Sequence, residues 1–257
     1  MFIKVRGQLV HTVDYGEGTP TIVGVSGAFG NTEIWEQPFE LLSRRHRVIA
    51  YDHFGTGETR VPPELVTFEE QVAVLHELLD ALSVERCILV GDSAMVAVAV
   101  ELAVRHPERV QALALVSGGV VHDENPIVTG FVAGLRSDFE GTMEGFVPAC
   151  IPEADSQHLR DWLRDIISRT GSERAAALVE ASYGIDLSAR LPELTMPTVV
   201  IRGEQDVIPP NTVDSARAMA AAIPDCKLEL LPGVGHVPTL TRPKEVADII
   251  ERLASES

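Results

Sequence analysis

Hydrophobic positions follow two alternating periods along this chain. Short runs rich in β-branched residues occupy residues 2–6, 10–15, 21–26, 47–51, 87–90, 112–116, 198–202 and 227–231. Most are apolar on both faces, which predicts strands buried on both sides in a helix-covered sheet. Between them the period lengthens toward 3.6. Residues 67–82 place Phe68, Val72, Leu75, Leu78, Leu79 and Leu82 on one side and Glu69, Glu70, Glu77 and Asp80 on the other, the signature of an amphipathic helix. Residues 94–105, 211–223 and 243–254 predict further helices, the last opening on Pro243. The first two runs read as a hairpin, so the expected sheet is antiparallel at its start and parallel afterwards.

The alternation fails over residues 121–189, where strands vanish and helix-prone pieces such as 155–169 and 172–182 take their place. These follow the sixth strand at its carboxyl end, the side on which open α/β sheets bind ligands, so they predict a helical insertion roofing a pocket. The expected organisation is a core of residues 1–120 and 190–257 with a cap or lid of residues 121–189.

Composition narrows the possible partners. In 257 residues, 45% hydrophobic, 21 Lys and Arg stand against 38 Asp and Glu, a formal charge of −17. Such a surface repels nucleic-acid backbones and anionic membranes, which leaves a small molecule as the expected partner. Cys87, Cys150 and Cys226 lie far apart with no metal-ligand spacing, so buried thiols are expected and no metal. No signal-peptide core opens the chain, and the longest apolar run, residues 94–100, is far short of the roughly 20 residues a membrane helix needs. A cytoplasmic protein is expected. Oligomeric state is not legible.

Candidate chemistry starts at residues 88–95, Ile-Leu-Val-Gly-Asp-Ser-Ala-Met. A buried strand stops at Gly91 and Ser93 stands two residues on, at the start of a helix. A serine on so sharp a turn projects its hydroxyl away from both elements, and the next N–H, that of Ala94, faces the same point. Capping the following helix is the simpler use of such a serine. The five-residue pattern Gly-x-Ser-x-Gly ends here in Met95.

Four further segments, with this turn, resemble the α/β-hydrolase fold family, and the resemblance runs the length of the chain. Residues 25–30, Val-Ser-Gly-Ala-Phe-Gly, are similar to the family's oxyanion loop, with Ser26 where histidine is usual. Residues 52–59, Asp-His-Phe-Gly-Thr-Gly-Glu-Thr, resemble its Asp-x-x-Gly-x-Gly turn. Residues 203–206 are similar to the stretch carrying the acid, and residues 233–236 to the loop carrying the histidine. The resemblance implies a mostly parallel eight-stranded sheet with a lid after the sixth strand, and a triad in the family's order, Ser93, Asp206 and His236. It makes Ala28 and Ala94 the oxyanion donors. Asp123 competes with Asp206 for the acid role, Asp92 is expected to point aside, Asp52 to brace its turn, and Asp186 to join the insertion to the core.

The implied activity is cleavage of an ester, lactone or related acyl bond of a small, mainly apolar substrate, without a cofactor. Carbon–carbon hydrolysis or perhydrolysis by the same triad, or a hydrolase-like ligand-binding protein, stand as alternatives, Met95 and Ser26 motivating the last. A dehalogenase would carry aspartate at the apex. The expected substrate contacts are Phe29, Trp35, Phe131, Phe139, Met143, Phe146, Trp162 and Val207. Several of these, with Leu135, Val147, Ile166 and Tyr183, could equally form the insertion's own core, and Trp35 could instead anchor the helix after the oxyanion loop.

Overall fold

The computed structural model describes residues 1–209 and 211–257. Its strands are β1 (Phe2–Val5), β2 (Gln8–Tyr15), β3 (Thr21–Val25), β4 (Val48–Tyr51), β5 (Cys87–Asp92), β6 (Val110–Val116), β7 (Val121–His122), β8 (Ile185–Asp186), β9 (Thr198–Gly203) and β10 (Cys226–Leu231). Its helices are α1 (Glu36–Leu42), α2 (Phe68–Ala81), α3 (Met95–Arg105), α4 (Pro126–Ser137), α5 (Phe139–Cys150), α6 (Gln157–Ser168), α7 (Ser172–Glu180), α8 (Val213–Ala222), α9 (Pro238–Thr241) and α10 (Pro243–Glu256).

Eight strands form one sheet in the order β1-β2-β4-β3-β5-β6-β9-β10. The β1–β2 and β2–β4 pairs are antiparallel and all others parallel, as the hairpin and the apolar runs predict. The hairpin turns on Arg6 and Gly7, both at positive φ, the geometry whose twist matches the strands it joins.

Both faces of the sheet are covered, and the two-residue period sorts its side chains between them. Val23, Ile49, Leu89, Leu113 and Val200 pack with α2, α3 and α8. Their neighbours Ile22, Val48, Ile88, Ala112 and Ile201 pack with α1 and α10. Near the carboxyl end of β3 this second face demands a glycine: a Cβ on Gly24 would lie 2.7 Å from the Phe39 ring and 2.9 Å from that of Trp35. These two rings stack at 5.2 Å in the space left free.

The segment between β6 and β9 holds α4 to α7. It is not strandless, contrary to expectation: β7 and β8 pair antiparallel where it leaves and re-enters the core. Two residues per strand are too few to print a period on the sequence. Asp186 at this neck accepts from both the N–H and the hydroxyl of Ser188, at 2.9 and 2.6 Å. No helix among the described residues is long and apolar enough to cross a membrane.

Candidate active site

The carboxyl end of β5 is where the sheet places its chemistry. Ser93 follows it at φ +52°, a left-handed conformation that serine pays for in strain. Backbone bonds hold the turn on both sides, Ser93 N–H to Val116 O at 2.8 Å and Val96 N–H to Ser93 O at 3.0 Å. Strand and helix meet so closely that a Cβ on Gly91 would lie 2.8 Å from that of Ala99. The crowding is on the Gly91 side. Met95 is buried and borders a small gap together with Phe68, Gln71, Val98 and Leu178, so a flexible methionine is accommodated where the family pattern has glycine.

The serine caps nothing. Its Oγ lies 2.9 Å from Nε2 of His236, whose Nδ1 lies 2.9 Å from Oδ2 of Asp206. Carboxylates only accept, so Nδ1 carries the proton and Nε2 faces the hydroxyl as an acceptor. Asp206 follows β9 and His236 follows β10. Their loops are laced together, with Gln205 N–H on Val234 O at 2.8 Å. From the insertion, the Cys150 carbonyl accepts the His236 N–H at 2.8 Å, and buried Glu153 accepts the Gly235 N–H at 3.0 Å.

Asp206 has a second partner that the sequence does not single out. Arg202, fully buried, donates from Nη1 to the same Oδ2 at 2.7 Å and from Nη2 to Gly118 O at 2.5 Å. Ile208 N–H occupies the other carboxylate oxygen at 3.0 Å. Burial by itself pushes the Asp206 carboxyl upward. The charge and hydrogen bond of His236, then Arg202, outweigh it and hold the group below the ordinary carboxylate range. Asp92 does not simply turn aside: its Oδ2 accepts the Gly27 N–H at 3.2 Å, and burial lifts its pKa to about 6. Asp123 sits exposed at the cavity rim, with Asp206 in the acid position against His236. Asp52 braces its turn, accepting from the N–H groups of Thr32 and Glu58 at 2.8 Å each.

In front of the serine lies a cavity of about 270 Å³, lined by loops at the carboxyl edge of the sheet and by residues of α4 to α7. Ala28 and Ala94 both border it, and among the described residues neither N–H has a protein acceptor. Phe29, Phe131 and Phe146 form one wall, with ring centroids 5.2 to 6.1 Å apart. Tyr183 also lines the cavity. The other expected contacts are elsewhere. Trp35 is fully buried beneath the opposite face of the sheet, and Met143 is core, as are Leu135, Val147 and Ile166. Phe139 packs against that core from its edge. Trp162 spends its N–H on Glu33 at 3.1 Å, tying α6 to the segment before α1. Val207 points to solvent, 64% exposed, while the next residues, Ile208 and Pro209, line the cavity. His122, Asn125, Ser182 and Asn211 supply polar lining that no sequence pattern singled out.

Comparison with known proteins agrees with this architecture. A family model described as alpha/beta hydrolase fold matches residues 20–183. The chain is 29% identical over 252 residues to the pimeloyl-(acyl-carrier protein) methyl ester esterase of Aeromonas hydrophila, covering 92% of this chain and 96% of that one. It is 29% identical over 238 residues to a protein of Pseudomonas syringae provisionally named carbamate hydrolase RutD, with 87% and 89% covered. Among solved structures, the enol-lactonase from Burkholderia xenovorans superposes with a TM-score of 0.91 at 23% identity, over 99% of this chain and all of that one.

Proposed function

The chain belongs to the alpha/beta hydrolase fold family, and from that premise we propose that it hydrolyses a small, uncharged, mainly apolar ester or lactone through an acyl-serine at Ser93. The observation carrying this reading is the unbroken relay from the Ser93 hydroxyl through His236 to Asp206, at 2.9 Å per step. Its setting supports it, since two amides without acceptors among the described residues border the same cavity.

A neutral serine is a weak nucleophile, so His236 takes its proton as Oγ adds to the substrate carbonyl. Asp206 holds the imidazole by Nδ1 and stabilises the imidazolium. The N–H groups of Ala28 and Ala94 receive the developing oxyanion. His236 then protonates the departing alcohol, and afterwards activates the water that releases the acid. Residues 121–189 act as the cap, supplying the apolar wall around Phe131 and Phe146 and the polar rim.

The test is a fluorophosphonate probe followed by peptide mass analysis. The expected result is one adduct on the peptide containing Ser93, absent in Ser93→Ala. An unlabelled wild type would overturn the proposal in favour of a silent ligand-holding protein.

The cavity's charges set the substrate class. Asp92 and Asp123 line it, and among the described residues no lysine or arginine does, so an anionic substrate meets repulsion without a counter-ion. We expect kcat/KM for the 4-nitrophenyl monoester of glutaric acid to fall about tenfold or more below that for 4-nitrophenyl butyrate, equivalent to about 1.4 kcal/mol. Steady-state kinetics at low ionic strength check this.

A further inference from the structure

The turn at residues 52–59 has a second use beyond its own bracing. Its His53 is fully buried, and Nε2 lies 3.2 Å from the carbonyl oxygen of Gly27. A carbonyl only accepts, so the ring proton is on Nε2 and His53 donates. Nδ1 is buried without a partner among the described residues, and burial lowers the pKa, keeping the ring neutral. An imidazole in this place costs stability that an apolar side chain would not, unless its single bond has a use.

Peptide geometry supplies one. In a trans peptide the C=O of one residue and the N–H of the next belong to the same plane and point in opposite directions. The Gly27 carbonyl and the Ala28 N–H are therefore two ends of one rigid unit. Resting on the acyl-transfer reading of Ser93, we propose that His53 is a positioning residue of the oxyanion hole, fixing the Gly27–Ala28 peptide plane so that the Ala28 N–H stays aimed at the reacting carbonyl. The Gly30 N–H shares the Gly27 oxygen at 2.8 Å. Asp92 grips the preceding amide, accepting the Gly27 N–H at 3.2 Å. The tolerance is small, because a Cβ on Gly27 would lie 2.8 Å from that of Ser93. A plane free to rotate would present its carbonyl, not its N–H, to a developing negative charge.

The experiment compares His53→Leu and His53→Met, which lack the donor, with His53→Gln, whose amide restores one near the Nε2 position. On 4-nitrophenyl butyrate the donor-less variants should lose about 10²-fold in kcat, the scale of one oxyanion donor, with KM within about threefold of wild type. Affinity for an alkyl trifluoromethyl ketone, whose adduct places an oxyanion in the hole, should fall in proportion, and His53→Gln should recover most of both. A kcat within about threefold of wild type, or a loss of kcat without loss of ketone affinity, assigns His53 a packing role and overturns the inference. Nitrogen-15 NMR of wild-type His53 tests it without any variant: the Nε2–H tautomer is required, and the Nδ1–H tautomer overturns it. A wild type with neither turnover nor probe labelling removes the acyl-transfer reading, and this inference with it. An active wild type with indifferent His53 variants removes this inference alone.

Discussion

Ser93→Ala is expected to lower kcat for 4-nitrophenyl butyrate about 10⁶-fold, the scale on which a catalytic serine or histidine acts when the rest of its triad is intact. The substitution removes one oxygen and no other hydrogen bond, because among the described residues the Ser93 side chain bonds only His236. The backbone bonds that hold the turn run through the Ser93 N–H and C=O and survive it. Alanine meets the same strain at φ +52° that serine does. Thermal unfolding should therefore be nearly unchanged, KM should move little, and the loss should fall on kcat. Some acceleration over water remains, because Ala28 and Ala94 still offer their amides, and a residue of about 10³-fold is the expectation. Turnover by Ser93→Ala at the wild-type rate, measured on protein purified apart from other esterases, would sink the nucleophile assignment.

Much of this site was legible before any coordinates, for a physical reason. The serine and the acid sit just past the buried parallel strands β5 and β9, and such strands print themselves as largely apolar runs, while the histidine follows the edge strand β10, whose Lys-Leu-Glu-Leu alternation marks a half-buried strand. Residues that act across the gaps between segments leave no such mark. Glu153 and the Cys150 carbonyl steady the histidine loop from the insertion, yet nothing near them in the chain has a period or motif. Helices α4 and α5 were obscured in the same way. Gly130 and Gly134 interrupt the first and Pro148 the second, so their apolar faces are held by packing against neighbours and not by propensity. Trp35 could be read as a helix anchor or as a substrate contact because an aromatic after an oxyanion loop can point either way, and it is the anchor, stacked on Phe39 of α1. Gly24, which clears room for its ring beneath β3, was the overlooked clue. Arg202 was visible in principle: a single cation in the run Thr-Val-Val-Ile-Arg-Gly must find a carboxylate if that strand is buried.

That arginine supports the second large expectation. Arg202→Met should lower unfolding stability by about 3–5 kcal/mol at neutral pH, the usual result of removing one partner of a buried ion pair. The side chain is wholly inaccessible, and its loss strands both the Gly118 carbonyl and a carboxylate that had shared one oxygen between Arg202 and His236. The pH dependence gives the sign. In the wild type, the Asp206 pKa lies below its ordinary value near 3.9. Its contribution is thus present above that value and lost as pH falls through the folded-state pKa. Without Arg202, the upward push of burial is opposed only by His236 and the Ile208 N–H. The Asp206 pKa therefore rises, and its share of the lost stability is relieved by protonation at a higher pH than in the wild type. The stability gap between variant and wild type should therefore narrow on acidification from pH 7.5 toward pH 5, as measured by urea unfolding. Asp92 adds to the same trend, because Arg202 also lowers its pKa. Arg202→Met with Asp206→Asn removes both charges and should regain much of the stability while remaining inactive, a coupling that a double-mutant cycle measures. A single variant within about 1 kcal/mol of wild type at both pH values would mean that Arg202 is no strut for the acid.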